Sequence, residues 1–398
     1  MKKKKLLIIG AGLAQVDAIL RAKTLGYYVL VSDGLEQAEG LKVADEARII
    51  DVTDSKGNLS WAKERKIDAV VSYASDICLS TVLCIRETLN LPGLGRKPME
   101  ISLDKSLQRI HFEKLRLAQP DFRVVETFDQ FSSAALELGV PVVLKPVDNA
   151  GSRGVSVVED QSQFQTAFDM ALTNSKQKKF IVEQFIEGLE LTVEGFSVNG
   201  KHYILAISDK VKPEGSYRVA TQLAYPAAIS LEDEIKVIAL VTKAYDAAQV
   251  DNTPTHSEII LTRNGPQIVE IACRGGGFYV FTRVVQAVSG YDIVGNWTKF
   301  CAGDDIDQVK VHKKGVVLRF YAGPSGKKLV NIRGLKEAQS IEGVQTGLFV
   351  KLGDVIPELK TDGSRTGWMI TQAKDRSNAI AKADLVSEMV QFDVEPLP

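Results

Sequence analysis

Cysteine, histidine and tryptophan are scarce in this chain of 398 residues, with four, four and three copies. The cysteines, Cys78, Cys84, Cys273 and Cys301, show no C-x-x-C pair and no Cys/His ligand spacing. That excludes a zinc ribbon or a disulfide framework and fits unpaired thiols in a reducing compartment. An excess of charge is missing too: 49 Lys and Arg stand against 50 Asp and Glu. No long-range field calls for a nucleic acid or an anionic membrane, so any anion site has to be local. Also absent is a run of ~18 apolar residues, the length a membrane span needs. The start, MKKKKLLIIGAGLA, imitates a signal peptide, but its apolar run is short, broken by glycine and followed by Gln15 and Asp17. It reads as a first β-strand of a soluble, cytoplasmic protein.

What is present is an ordinary globular composition, 45% apolar and 25% charged. The length suits two or three compact domains. Residues 5–95 alternate short buried runs (KLLIIG, YYVLVSDG, ARIIDV, DAVVSYAS) with helical patterns, the βαβ rhythm of a parallel sheet. The first turn, Gly10-Ala-Gly12-Leu-Ala-Gln15, has two of the three glycines of a dinucleotide fingerprint, and Asp33 ends the second strand. A tight strand-to-helix turn, or a substrate crevice, explains it equally well. The rhythm breaks at Leu91-Pro92-Gly93-Leu94-Gly95, where a boundary is expected.

Beyond it, a helix carries Lys105 and Arg109 on one face, and a solvated face is the bland explanation. The segment VPVVLKPVDNAGSRGVSVVED reads as two strands around a loop of glycine and small polar residues. Lys145 lies inside the first strand among apolar neighbours, which is costly unless an anion meets it. The loop, with Gly151, Ser152 and Gly154, can fold over phosphates through its N–H groups, though it is no Walker A loop. Further on, KFIVEQFIEGLELTVEGFSV is an apolar strand interrupted after Glu183-Gln184. The interruption leaves backbone groups near Gln184, Phe185 and Ile186 free to meet an adenine edge, with Glu190 close enough to accept from ribose hydroxyls; any β-bend would look the same. The stretch 200–230 carries Lys210, Lys212 and Arg218, cations that usually face only water.

The richest segment is His256 to Gly277, HSEIILTRNGPQIVEIACRGGG. Two apolar runs flank Arg263-Asn264-Gly265-Pro266, the pattern of a β-hairpin. An odd-length loop that keeps Pro266 out of the ladder would set Glu258 opposite Glu270. Like charges so placed repel by up to ~1 kcal/mol unless something offsets them, and a divalent cation does. His256, Ala272 and Arg274 continue that face by the period of two, and Cys273 points away from it. Three glycines follow, able to present N–H groups to an anion. Metal, fixed cation and anion nest together suit phosphoryl chemistry on a nucleotide. Two ordinary surface glutamates are the bland alternative. The chain closes with short strands (GVVLRFYAGPSGKKLVNIRG, TGLFVKLGD), a Ser364-Arg365-Thr366-Gly367 turn and a last helix near 376–390, without repeats.

Taken in order, the Rossmann-like start, Lys105, VVLKPVDNAGSRGV, FIVEQFIEGLE and HSEII…VEIACRGGG resemble the ATP-grasp superfamily, in particular its carboxylate–amine ligase branch. The resemblance spans nearly the whole chain. It implies an α/β fold with α+β character at the C-terminus: a Rossmann-like domain over 1–95, an ATP-grasp domain over 96–304 with a hairpin lid at about 120–186, and a small subdomain over 305–398. It implies that Lys105 and Lys145 hold ATP phosphates under the loop 149–154, and that Glu183, Gln184, Phe185 and Ile186 line the adenine. Glu190 would sit on the ribose, Glu258 and Glu270 on Mg²⁺ (or Mn²⁺), and Arg274 on an acyl phosphate. Many relatives have Asn where this chain has Ala272, which puts a second metal in question. The expected reaction joins a small carboxylate to an amine, releasing ADP and phosphate, in a protein that is a homodimer by default. A non-catalytic ATP-binding regulator and an NAD-dependent oxidoreductase are the rival readings. Substrate contacts are expected from the N-terminal crevice, the 208–220 loop and the C-terminal cations Arg319 and Arg365.

Overall fold

The computed structural model describes residues 3–149, 151, 153–212 and 219–397. Ser152 and Arg218 lie outside the described residues. The N-terminal strands β1 (Lys5–Ile9), β2 (Tyr28–Asp33), β3 (Glu46–Ile49) and β4 (Ala69–Val71) are all parallel, in the order β3-β2-β1-β4. Apolar runs without alternation, such as Leu6–Ile9, become strands covered on both faces, as parallel sheets require.

A second sheet holds β5 (Phe122–Val125), β6 (Val142–Pro146), β7 (Ser156–Val158) and β8 (Phe180–Gln184), in the order β5-β8-β6-β7. Strict alternation sorts its faces. Val142 and Leu144 pack with Phe131, Phe164 and Phe168 of the helices Phe128–Leu138 and Phe164–Thr173, while Val143 and Lys145 turn to the opposite side.

The third sheet is the frame of the molecule. Its strands are β9 (Leu189–Val198), β10 (Lys201–Val211), β11 (Gln222–Tyr225), β12 (Thr253–Thr262), β13 (Gly265–Ala272), β14 (Gly315–Tyr321), β16 (Val344–Leu348) and β17 (Gly367–Ala373). They run in the order β13-β12-β9-β10-β11-β14-β17-β16. Strands from beyond residue 305 thus continue this sheet through the β11–β14 pairing, and only β15 (Lys327–Arg333) and β18 (Gln391–Pro396) pair separately. One face near β12 and β13 is closed by the helix Leu231–Ala248 over Val193, Ile259, Ile268 and Ile271. The other faces the second sheet across a cleft. Among the described residues no helix is long and apolar enough to cross a membrane.

Candidate active site

The cleft is a cavity of about 360 Å³ walled by both sheets, within the ~300–1,000 Å³ typical of small-molecule sites. Of the residues expected at the site, Lys105, Lys145, Gly151, Glu183, Gln184, Phe185, Ile186, Glu190, Glu258, Glu270 and Arg274 all line it. Gly154 does not; its φ of +76° turns the loop tightly, and a Cβ there would come within 2.7 Å of Asn174 Cβ.

Glu258 and Glu270 stand opposite each other, but not by the expected route. The hairpin loop is the two-residue Arg263-Asn264, with Thr262 paired to Gly265 and Pro266 inside the ladder opposite Leu261. Proline is tolerated there because β13 is an edge strand. An even loop alone would pair Glu258 with Val269 and turn Glu270 into the core. A β-bulge at Val269 corrects this: Ile268 and Ile271 face the core, and Val269 and Glu270 both face the cavity.

The bulge is held from outside the sheet. In the helix Lys105–Lys114, buried Arg109 donates to Ile268 O at 3.1 Å and Val269 O at 2.7 Å. Gln108 exchanges two bonds with Ile271, 3.1 Å to its carbonyl and 3.0 Å from its N–H. A helix face for which solvation was the bland explanation therefore replaces the missing neighbour of β13. Arg109 also pairs with Glu183 at 2.8 Å, and Lys145 takes the other carboxylate oxygen at 2.7 Å. Burial raises the Glu183 carboxyl, but Arg109 and Lys145 overcome it and bring the group down to about 2. The Glu183 carboxylate accordingly orients two cations at the cavity wall.

Every expected ligand-binding carboxylate has a lysine against it. Lys105 lies 3.1 Å from Glu270 and donates to Asn149 O at 2.7 Å, tying the loop to the hairpin. Lys210 lies 2.5 Å from Glu258, and Lys212, two residues along β10, pairs with Glu190. These two cations face the cavity and not the water. Lys210, helped by His256, holds Glu258 far below the usual carboxylate range against the opposing effect of burial. His256 is fixed by Glu194 at 2.6 Å.

Arg274 reaches back to Asp76 of the N-terminal part at 2.7 Å and to Gly275 O at 2.9 Å. Burial works against the Asp76 charge, yet Arg274 leaves that carboxyl below its ordinary value. The glycine run differs from the anion nest expected. A Cβ on Gly275 would fall 2.1 Å from the Phe281 ring, and one on Gly276 would fall 2.8 Å from Val280, so these two serve close packing. Gly277 alone is open and lines the cavity. Cys273 points into the core, and burial pushes its thiol up to about 12, which suits a packing role.

Three further expectations change. The Gln184 and Phe185 N–H groups are already bonded, to Asp121 O at 2.9 Å and Pro141 O at 3.2 Å, because strand-like pairing runs on past the break. Ile186 N–H is left without a partner among the described residues. Arg319 turns away from the cavity to Asp384, Ser387 and Gln222, while Arg365 lines it. Asp33 accepts from Ala11 N–H at 2.7 Å and Leu35 N–H at 2.9 Å, so it pins the Gly10–Gly12 turn, and a ribose would have to compete for it.

Two family models match: an ATP-grasp domain over residues 138–281 and an L-amino acid ligase C-terminal domain 2 over residues 319–395. The chain carries an ATP-grasp domain. The whole chain superimposes on the crystal structure of L-amino acid ligase from Bacillus licheniformis with a TM-score of 0.87 at 21% identity, covering 99% of this chain and all of that one. Against the biotin carboxylase domain of the Hydrogenobacter thermophilus 2-oxoglutarate carboxylase, in complex with MgADP, the TM-score is 0.79 at 16% identity, over 99% and 91% of the two chains. At these identities the likeness is one of fold. In sequence it is 23% identical to the formate-dependent phosphoribosylglycinamide formyltransferase of Bacillus velezensis over 355 residues, 87% of this chain and 90% of that protein. With an enzyme of that name from Actinobacillus pleuropneumoniae the match is 27% over 225 residues and spans only 56% of its length. The oxidoreductase and non-catalytic readings gain no support from these relatives.

Proposed function

We propose that this protein is an ATP-dependent ligase that activates a small carboxylate as an acyl phosphate, lets an amine displace the phosphate, and releases ADP. The observation that carries the reading is the cross-strand pair Glu258–Glu270, which shares one cavity with Lys105, Lys145 and Arg274 beneath the second sheet.

The residues present fit Mg²⁺ and ATP. Glu258 stays ionised, each carboxylate is balanced by a lysine that a cation can displace, and the oxygen-only donors are of the hard kind. Among the described residues no cluster of three or more His, Cys, Asp or Glu could hold a metal, so Glu258 and Glu270 would hold Mg²⁺ together with phosphate oxygens and water, as is usual for that ion. Mn²⁺ takes the same donors. The metal would neutralise charge on the transferring phosphoryl group. Released from Glu270 and Glu258, Lys105 and Lys210 are placed to turn to the phosphates, and Lys145 is held at hand by Glu183. Asn149 and Gly151 would border the phosphates from the lid, Ile186 N–H would meet the adenine edge, and Glu190 would meet the ribose. Arg274 and Gly277 N–H take the oxyanion when the amine adds. The lid sheet keeps water from the acyl phosphate.

A cytoplasmic setting supplies ATP and suits four free cysteines. A homodimer belongs to the same reading, with sedimentation velocity as its check. The deciding measurement is ADP release from ATP and Mg²⁺ with pooled carboxylates and amines, beside Glu270→Ala. The wild type forms ADP with a particular pair of pools, and the variant melts normally but forms none. ADP formation at the wild-type rate by Glu270→Ala would remove the metal assignment, and none from the wild type with any pool would remove the ligase reading.

A further inference from the structure

A second, much smaller cavity of about 20 Å³ lies where the N-terminal sheet meets the hairpin β12–β13. It shares Ala74 and Arg274 with the wall of the main cavity. A space of that size holds one water-sized sphere and is too small for a carboxylate or a phosphate. Its wall is largely apolar, yet three of the residues in it have a buried donor without a hydrogen-bond partner among the described residues: Ser72 Oγ, Arg86 Nε and Arg274 Nε. Leaving such a donor unpaired is costly, more so when it belongs to a cation. The Cys78 thiol beside Ser72 gives its hydrogen to Ser75 Oγ at 3.4 Å instead. Charge is unevenly balanced as well. Arg274 has Asp76 at 2.7 Å, but Glu87 stands 3.7 Å from Arg86 and is shared with Arg96. The Arg86 stem is confined in its place: Gly93, at φ +138°, leaves room for Arg86 Cδ, which would lie 3.1 Å from a Cβ there. Among the described residues no Asp or Glu lines this cavity, and burial keeps the Cys273 and Cys301 thiols in its wall protonated.

We infer that this small cavity binds one chloride ion, held by Arg86 Nε, Arg274 Nε and Ser72 Oγ. A halide accepts from every side and donates nothing, which suits a set of three donors of which two belong to guanidinium groups that cannot accept. A water molecule would pair with some of these atoms but leave the charge of Arg86 as poorly balanced as before. The size of the space selects a single spherical ion over sulfate, phosphate or a carboxylate. The ion stands independently of the ligase chemistry. Because Arg274 borders both cavities, chloride gives that guanidinium a second anchor besides Asp76.

The test reads binding and needs no turnover, so its result is separate from that of the ADP-release assay. Crystals of the full chain grown without halide are soaked in sodium bromide, and diffraction is measured at the bromine absorption edge. Expected is an anomalous peak in this cavity, within hydrogen-bond distance of Arg86 Nε, Arg274 Nε and Ser72 Oγ. In solution, melting temperature is followed as sodium chloride replaces sodium gluconate at constant ionic strength. It should climb with the logarithm of chloride concentration once the site fills, as for any ligand that binds only the folded chain. Ser72→Ala, which removes one donor and little volume, should weaken chloride roughly tenfold. Arg86→Gln should abolish the response, and melting in gluconate alone shows whether each variant is folded. Should Arg86→Gln fail to fold, Ser72→Ala decides the matter by itself. Water-like density without a bromine signal overturns the inference, as does a melting temperature indifferent to chloride. A chloride response that Ser72→Ala leaves at the wild-type strength overturns it too, since the ion would then act elsewhere.

Discussion

Glu183 binds two cations at once, and its environment fixes a sign for the acid response of the whole protein. Its folded-state pKa, about 2, lies below its ordinary value of 4.5. A depressed carboxylate contributes stability that is fully present above the unfolded value and disappears as pH falls through the folded one. The difference corresponds to about 3 kcal/mol, present above pH 4.5 and gone near pH 2. Glu183→Gln should therefore cost about 3–5 kcal/mol at neutral pH, since it leaves Arg109 and Lys145 buried without a counter-charge. Its deficit relative to the wild type should shrink between pH 4.5 and 2. Parallel stability curves, from urea titrations across that range, would contradict the assignment. Lys145 was legible in the sequence because a lysine among apolar strand neighbours demands an anion. Its partner was not: Glu183 looked like a ligand contact, and nothing in the sequence told Arg109 from a residue of a solvated face. The i, i+4 spacing shows which residues share a helix face without showing what covers that face.

At the scale of elements, the alternation of β12 and β13 put Glu258 and Glu270 side by side on paper, and they are side by side in space. The means differ, because turn length and bulge compensate one another and a sequence with two carboxylates at this spacing is compatible with either solution. Val269 carries no chemical mark of a bulge. Its stabilisers, Arg109 and Gln108, come from a helix more than 150 residues earlier in the chain. That distance makes Gln108 a sensitive probe. Gln108→Leu keeps the volume of the side chain nearly constant but strips partners from the buried N–H and carbonyl of Ile271. The expected loss is about 2 kcal/mol. Because the strand that loses its neighbour carries Glu270, affinity for Mg²⁺–ADP should fall as well. A drop in melting temperature with unchanged Mg²⁺–ADP affinity would mean that the bulge holds its shape without the helix.

For the whole molecule, the question is what the N-terminal sheet contributes to a site built on the other two. Its parallel order matches the βαβ rhythm, yet the turn at Gly10–Gly12 is closed on itself by Asp33, and among the described residues of this part only Ala74 reaches the wall of the main cavity. The link that reaches the proposed site residues is Asp76 to Arg274, with Asp76 Oδ1 and Arg274 Nε both buried and unpartnered among the described residues. A single strong bond with spare atoms on both sides fixes the direction of the guanidinium while leaving it a donor to offer. Asp76 thereby acts as a positioning residue: it does not line the main cavity but sets where Arg274 can place its charge. Asp76→Asn preserves shape and removes the charge that aligns Arg274. The proposed ATP contacts lie outside the N-terminal sheet, so KM for ATP should stay near the wild-type value. The oxyanion of the second step would meet a displaced cation, and misplacement by about 1 Å is enough to lower a rate roughly 10²-fold. The expected signature is a fall in kcat and kcat/KM for the amine together, the pattern of an interaction made only in the transition state. A raised KM for ATP with kcat preserved would instead make the N-terminal sheet a brace for the nucleotide, and Asp76 part of that brace.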